Sequence, residues 1–320
     1  DEKQGMDGIR NDIYNRVIEK VSKVSLDSRI FTLTAPTGTG KTITSFSAAL
    51  KLRERLKQNN NEPRIIYSLP FTSIIDQNFD VIEDILSNIE DFQRNRNTYM
   101  IKHHHLADIR YRAEDETRPL DESLLLVESW DSEVIVTTFI QLFYTIIGYK
   151  NRFLKKYHNI SNSIILLDEV QNIPMEYWPL VNTMLKNLSK ELNCYIILLT
   201  ATKPFIFDEN EAVELLENNK EYFEEFNRVK LRPNLKEMSV EQLAQKFYEM
   251  YEQEKSYLIV LNTIKSSVEF YEQIKEMVEI KGAEIFYLST NIIPKERKKR
   301  IDTIKDCLEN NEKVVVVATQ

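Results

Sequence analysis

The chain has 320 residues, 42% of them hydrophobic and 29% charged, enough for a buried core in each of two ordinary domains. A formal net charge of −8 argues against a protein that coats nucleic acid nonspecifically, while leaving room for a narrow basic track. No apolar run approaches the ~20 residues that span a bilayer. Asp1-Glu2-Lys3 opens no secretory signal, and Cys194 and Cys307 are too few for a zinc set or a disulfide framework, so a cytoplasmic protein without a membrane partner is expected.

In chain order, the patterning predicts a strand over Ile30–Ala35, a helix over Thr42–Leu56, a strand over Arg64–Leu69 and a helix from Ser73 towards Leu86. Strands follow at Val134–Thr137, Ser163–Asp168 and Tyr195–Thr200, with a helix over Met175–Leu192 between the last two. The unbroken apolar run Ile164-Ile165-Leu166-Leu167 suits a strand buried on both faces. Asp208–Glu225 is strongly acidic with weak apolar spacing and reads as a solvated helical connector. Beyond it, strands are expected at Arg228–Leu231, Tyr257–Asn262, Glu284–Leu288 and Lys313–Thr319, with helices at Lys265–Ile280 and Pro294–Leu308. Alternation of this kind predicts an α/β fold of two domains, residues 1–225 and 226–320, each a mainly parallel sheet covered by helices.

The strongest motif is Ala35-Pro36-Thr37-Gly38-Thr39-Gly40-Lys41-Thr42, placed between a strand and a helix. Glycines let the backbone N–H groups of Thr37, Gly38, Thr39 and Gly40 turn towards phosphates, and the helix N-terminus adds a favourable dipole. Lys41 would contact the β and γ phosphates of ATP, and the Thr42 hydroxyl would ligate Mg²⁺. Ala35 stands where the bare motif has Gly. A phosphate loop needs an acidic partner, and Leu166-Leu167-Asp168-Glu169-Val170-Gln171 carries one to the carboxyl end of a strand. Asp168 would hold the metal, and Glu169 would orient or deprotonate the attacking water. Thr200-Ala201-Thr202, at another strand end, would couple the nucleotide site to domain movement.

These three elements in this order resemble a superfamily 2 helicase. Tyr67-Ser68-Leu69-Pro70-Phe71-Thr72-Ser73-Ile74-Ile75-Asp76-Gln77 is similar to a segment of the type I CRISPR-associated helicase–nuclease family. Val136-Thr137-Thr138-Phe139-Ile140-Gln141-Leu142-Phe143, Leu261-Asn262-Thr263, Leu288-Ser289-Thr290 and Val316-Val317-Ala318-Thr319-Gln320 continue the resemblance. It implies two RecA-like domains with Mg²⁺–ATP between them, the Asp168-Glu169-Val170-Gln171 box counting Gln171 among the catalytic residues. It also implies 3′-to-5′ movement on single-stranded DNA held by Phe71, Thr72, Thr138, Gln141, Asn262 and Thr263. Thr138 has a second reading, as the cap of a helix beginning at Phe139.

The implied partners are a CRISPR surveillance complex and an HD-type nuclease domain, in the same chain or another. No nuclease site is expected in this sequence. The second domain is expected to be incomplete, ending before the family's sixth motif, so that the chain alone would hydrolyse ATP weakly or not at all. Two other readings stand beside this one: a different superfamily 2 motor acting on DNA or RNA, and a nucleotide-gated scaffold without turnover. The basic run Lys295–Arg300 reads as a solvated helix face or a phosphate contact. His103-His104-His105 is not expected to bind metal, because adjacent strand side chains point to opposite faces.

Overall fold

This computed structural model describes residues 2–59, 61–103, 128–202, 206–208, 210–226 and 230–319, with Ser73 and residues 2–4 described by backbone alone. The chain divides into two compact units, Asp1–Val229 and Lys230–Gln320.

In the first unit seven parallel strands pair in the order β3-β4-β2-β5-β6-β1-β7. Their ranges are β1 Ile30–Thr34, β2 Arg64–Leu69, β3 Met100–His103, β4 Val134–Thr138, β5 Ser163–Leu167, β6 Tyr195–Thr200 and β7 Val213–Glu214. Each strand alternates its apolar side chains between two buried faces. Ile65, Tyr67, Ile164, Leu166, Ile197 and Leu199 face helices α1 (Glu2–Lys23), α2 (Lys41–Lys57) and α3 (Ile75–Leu86). Ile66, Ile135, Ile165, Leu167, Ile196 and Leu198 face the other way, against Phe139, Leu142, Val181 and Leu185 of the helices Phe139–Ile147 and Trp178–Glu191. Burial on both faces is what an all-parallel sheet requires, because each crossover lays a helix on a face.

Two expectations need correction here. The acidic stretch is not a connector. Val213-Glu214 forms an edge strand beside β1, and Leu215, Leu216 and Tyr222, the last from the short helix Lys220–Glu225, are buried in the core, while Glu209 lies outside the described residues. Glu214 fixes this edge: its carboxylate accepts from the Thr32 hydroxyl at 2.9 Å, the Thr34 hydroxyl at 2.8 Å and the Thr34 backbone N–H at 3.0 Å. An inward-turned acid thus satisfies donors that a bare edge strand would leave open. Nor do Lys230 and Leu231 belong to a strand; the chain there has no regular structure, and Arg228 lies outside the described residues.

The second unit is a parallel sheet in the order β8-β10-β9, with β8 Tyr257–Leu261, β9 Glu284–Leu288 and β10 Val314–Thr319. The helices Val240–Met250 and Ile264–Ile280 cover one face through Phe247, Phe270, Ile274 and Val278. The helix Pro294–Glu309 covers the other through Ile304 and Cys307. Its basic run is partly committed to the fold: Arg300 donates to the Tyr287 carbonyl at 2.9 Å and pairs with Glu296. No helix among the described residues is long and apolar enough to cross a membrane.

Candidate nucleotide site

The carboxyl ends of β1, β5, β2 and β6 gather the chemistry. After β1 the chain turns through Pro36–Gly40, with Gly38 at φ 82° and Gly40 at φ 76°, left-handed conformations that a side chain would strain. Gly40 sits at the N-cap of α2, whose first turn carries neither a side-chain cap nor an acid, an arrangement that suits an anion. The Thr39 hydroxyl donates to the Pro36 carbonyl at 2.8 Å and braces the loop from within, while Thr37 is exposed. Arg10 of α1 donates to the Gly38 carbonyl at 3.1 Å, a brace the sequence reading missed. The Lys41 ammonium is buried, donating to the Ala35 carbonyl at 3.3 Å and lying 3.6 Å from Glu169 Oε1.

Asp168 follows β5 directly, its backbone N–H donating to the Ser68 carbonyl at 2.9 Å. One carboxylate oxygen, Oδ2, accepts from the Tyr67 hydroxyl at 2.7 Å. The other, Oδ1, is buried and takes no hydrogen bond from any described residue. Burial raises the Asp168 pKa to about 6; the Tyr67 hydrogen bond, the Lys41 charge and the Glu169 backbone N–H oppose the rise, while the Glu169 charge adds to it. Tyr67 is itself fully buried, and burial together with the Asp168 charge holds its phenol well above the usual range, so it stays a donor.

Glu169 takes a left-handed backbone, φ 56° and ψ 45°, which a non-glycine residue adopts at a cost. That turn brings its carboxylate towards Lys41 and accepts the Gln171 amide. Gln171 Oε1 in turn accepts from the Thr200 hydroxyl at 2.9 Å, and the Thr202 backbone N–H donates to Thr200 Oγ1 at 3.0 Å. Five candidates from three separated segments, Lys41, Glu169, Gln171, Thr200 and Thr202, therefore form one connected chain. Thr42 lies outside it: its hydroxyl donates to Asn78 Oδ1 on α3 at 2.6 Å.

The donor set suits a hard divalent cation. A buried carboxylate oxygen with a free lone pair and a threonine hydroxyl are hard oxygen donors, which favour Mg²⁺ over softer metals. Among the described residues no cluster of three or more His, Cys, Asp or Glu is arranged for a metal. His104 and His105 lie outside those residues; His103 is buried at the end of β3, its Nε2 3.3 Å from Lys156.

The candidate nucleic-acid residues are arranged differently. Phe71 is 54% exposed, and Thr72 opens a 3-10 turn after β2. Thr138 ends β4 beside Leu69 in register, and its hydroxyl accepts the Gln141 backbone N–H at 3.2 Å, capping the helix Phe139–Ile147. The capping reading of Thr138 is thus realised. The Gln141 side chain accepts from Lys156 at 3.4 Å. In the second unit Asn262 is exposed and Thr263 caps the helix Ile264–Ile280, accepting the Ser266 backbone N–H at 3.1 Å.

The family model for the DEAD/DEAH box helicases matches residues 13–209, a span from α1 to just beyond Thr202 that holds the whole site. The chain belongs to the DEAD/DEAH box helicase family. A second model, the C-terminal part of the CRISPR-associated nuclease/helicase Cas3, matches residues 253–320 of this chain. The CRISPR-associated nuclease/helicase Cas3 of Haloferax volcanii is 33% identical over 201 residues, 60% of this chain and 21% of that protein. The crystal structure of T. fusca Cas3 with AMPPNP superposes with a TM-score of 0.67 at 16% identity, covering 95% of this chain and 40% of its own. The DEAD-box helicase Mss116 bound to single-stranded RNA superposes at 0.56 with 12% identity, covering 96% and 60%. At such identities the structures speak for the shared helicase fold. The chain spans about a fifth of its curated relative and two-fifths of the solved Cas3 structure. The CRISPR-type resemblance of the Pro70–Ile75 segment agrees with these Cas3 matches.

Proposed function

We propose that this helicase portion binds Mg²⁺–ATP and hydrolyses it to move along single-stranded DNA in the 3′-to-5′ sense. In this reading it serves type I CRISPR interference alongside a surveillance complex and an HD nuclease domain. The observation that carries the reading is the continuous link from Lys41 through Glu169 and Gln171 to Thr200, beside an Asp168 oxygen that lacks a protein partner. The Cas3 matches supply the CRISPR context.

The geometry suggests how the residues would act. Before nucleotide arrives, Glu169 and the Ala35 carbonyl compensate the buried Lys41 charge. The β and γ phosphates of ATP would compete for Lys41 and release the Glu169 carboxylate to hold a water against the γ-phosphate. Thr42 and Asp168 would hold Mg²⁺, which neutralises charge on the phosphate oxygens when bound. Gln171, joined to both Glu169 and Thr200, would report the state of the γ-phosphate to the Thr200–Thr202 strand exit. Phe71, Thr72, Thr138, Gln141, Asn262 and Thr263 would contact the DNA backbone, positioning it without reading sequence.

Steady-state ATP hydrolysis with single-stranded DNA or RNA as stimulant tests the proposal. Stimulation by DNA, abolished by Lys41→Ala, is expected. Preference for RNA would point to a different superfamily 2 motor, and tight ATP binding without turnover to a scaffold. Filter binding of mixed-sequence and homopolymer single strands should show little sequence preference and a clear salt slope.

A further inference from the structure

The two candidate metal ligands, Thr42 and Asp168, are 126 positions apart in sequence, yet the same short segment sends side chains to both. The Tyr67 hydroxyl donates to Asp168 Oδ2 at 2.7 Å. Asn78 Oδ1 accepts the Thr42 hydroxyl at 2.6 Å. Tyr67 lies in β2 four residues before Phe71, and Asn78 lies in α3 seven residues after it. Asn78 is itself fixed: its amide donates to the Ile74 carbonyl at 3.0 Å, one helical turn back. Tyr67 is fully buried among the side chains that pack β2 on α2 and α3.

We propose that Tyr67 and Asn78 are positioning residues for the divalent cation. By engaging Oδ2 of Asp168, Tyr67 leaves Oδ1 as the oxygen that meets the metal, and Oδ1 is the buried atom without a protein partner. By accepting the Thr42 hydroxyl proton, Asn78 turns the lone pairs of Oγ1 away from itself and leaves them to the cation. Neither residue needs to touch the metal. Partners of this kind fix the orientation of metal ligands, and their loss typically lowers metal affinity by about 10- to 100-fold. The segment between them carries Phe71 and Thr72, so both ends of the candidate nucleic-acid loop are anchored to the metal site.

This inference rests on the nucleotide site proposed above, and its test keeps the two apart. Mn²⁺ serves as the probe, its binding to the protein with saturating ATP followed by loss of the free-ion electron paramagnetic resonance signal. Metal-free ATP binding is measured by calorimetry in EDTA. Tyr67→Phe, which removes only a hydroxyl, and Asn78→Leu, which removes the acceptor at similar size, should each weaken Mn²⁺ by about 10-fold or more. Metal-free ATP affinity should stay within about twofold of the parent, whereas Lys41→Ala should lose it. Loss in Lys41→Ala with unchanged Mn²⁺ affinity in both other variants would overturn the inference and leave the nucleotide site standing. Unchanged ATP binding in Lys41→Ala would overturn the site itself. A shift in only one variant overturns the assignment of the other residue. Parallel loss of metal-free ATP binding would show that the pair supports the loop, not the metal, and would also overturn the inference. Should Tyr67→Phe melt before it can be measured, the partly exposed Asn78 decides the outcome alone.

Discussion

The nucleotide loop and the Thr138 turn end strands of one sheet, yet they carry opposite local costs. Around the candidate nucleotide site, the fold holds unfavourable features that packing alone would discard. Glu169 has a left-handed backbone, Lys41 is a buried cation, and Asp168 Oδ1 has no protein partner. At Thr138 nothing is strained: strand becomes helix, and the hydroxyl satisfies an N–H that the first helical turn leaves open. Thr263 repeats that arrangement in the second unit. Residues held at a cost with no structural return point to chemistry. Residues with a complete structural task need a separate test before they are assigned another.

The sharpest way to break this contrast is to separate chemistry from binding. Glu169→Gln should keep Mg²⁺–ATP binding, because Lys41, Thr42 and Asp168 remain, while hydrolysis falls by about 10²- to 10⁴-fold. Quench-flow measurement of phosphate release alongside calorimetric ATP binding checks it. Parental hydrolysis would remove Glu169 from any role with the water. Lys41→Ala should act one step earlier, weakening ATP by roughly 10²- to 10³-fold, the range expected for truncating one partner of a buried charged contact. Unchanged affinity in a folded variant would move the site elsewhere.

Asp168 offers a test in which the proton stands in for the metal. Its native pKa of about 6 lies above its ordinary value of 3.8, so the folded chain holds this proton more tightly than the unfolded chain does. In metal-free protein the stabilisation from this group is complete below pH 3.8 and is lost as pH rises through about 6. Asp168→Asn should therefore flatten the stability difference between pH 5 and 7.5 and raise metal-free stability at pH 7.5 by on the order of 2 kcal/mol. Thermal melting in EDTA at the two pH values measures it. Metal binding runs the other way: Mn²⁺ affinity of the parent should fall as pH drops through about 6. The same pH slope in Asp168→Asn as in the parent would assign the titration to another group.

Most of the sheet was legible because a strand buried on two faces must be apolar throughout, as at Ile164–Leu167. Helix α1 was not, since it buries only the narrow stripe Ile13, Val17 and Val21 and is polar elsewhere. The acidic stretch misled for a related reason. Its charge count hid Glu214, whose carboxylate turns inward to three donors on β1, and only tertiary pairing shows that. Within the site, the loop and the Asp168-Glu169 box were readable from local spacing. Tyr67 and Asn78 were not, because their partners lie 101 and 36 positions away. One signal was available: a tyrosine in the otherwise aliphatic run Ile65-Ile66-Tyr67 has a polar tip that, once buried, must find a partner.

The smallest expected effect decides whether Thr138 does more than cap. Thr138→Ala removes the acceptor of the Gln141 N–H and should cost about 1 kcal/mol of stability, the usual loss for a truncated cap. That variant alone does not discriminate, because a frayed helix would also displace Gln141. Thr138→Asp does. Aspartate is an equally good N-cap, and its charge sits favourably at a helix N-terminus, so the fold should melt within about 0.5 kcal/mol of the parent. If DNA phosphates lie against this turn, the added carboxylate repels them, and single-stranded DNA affinity should fall several-fold, more at low salt than at high. Fluorescence anisotropy with a labelled single strand at two salt concentrations reads both. Parental affinity in a well-folded Thr138→Asp protein would leave Thr138 a helix cap alone, and the DNA path on the first unit would then rest on Phe71, Thr72 and Gln141. The matching change, Thr263→Asp, asks the same question of the second unit, where the cap has the same geometry and its neighbour Asn262 is exposed.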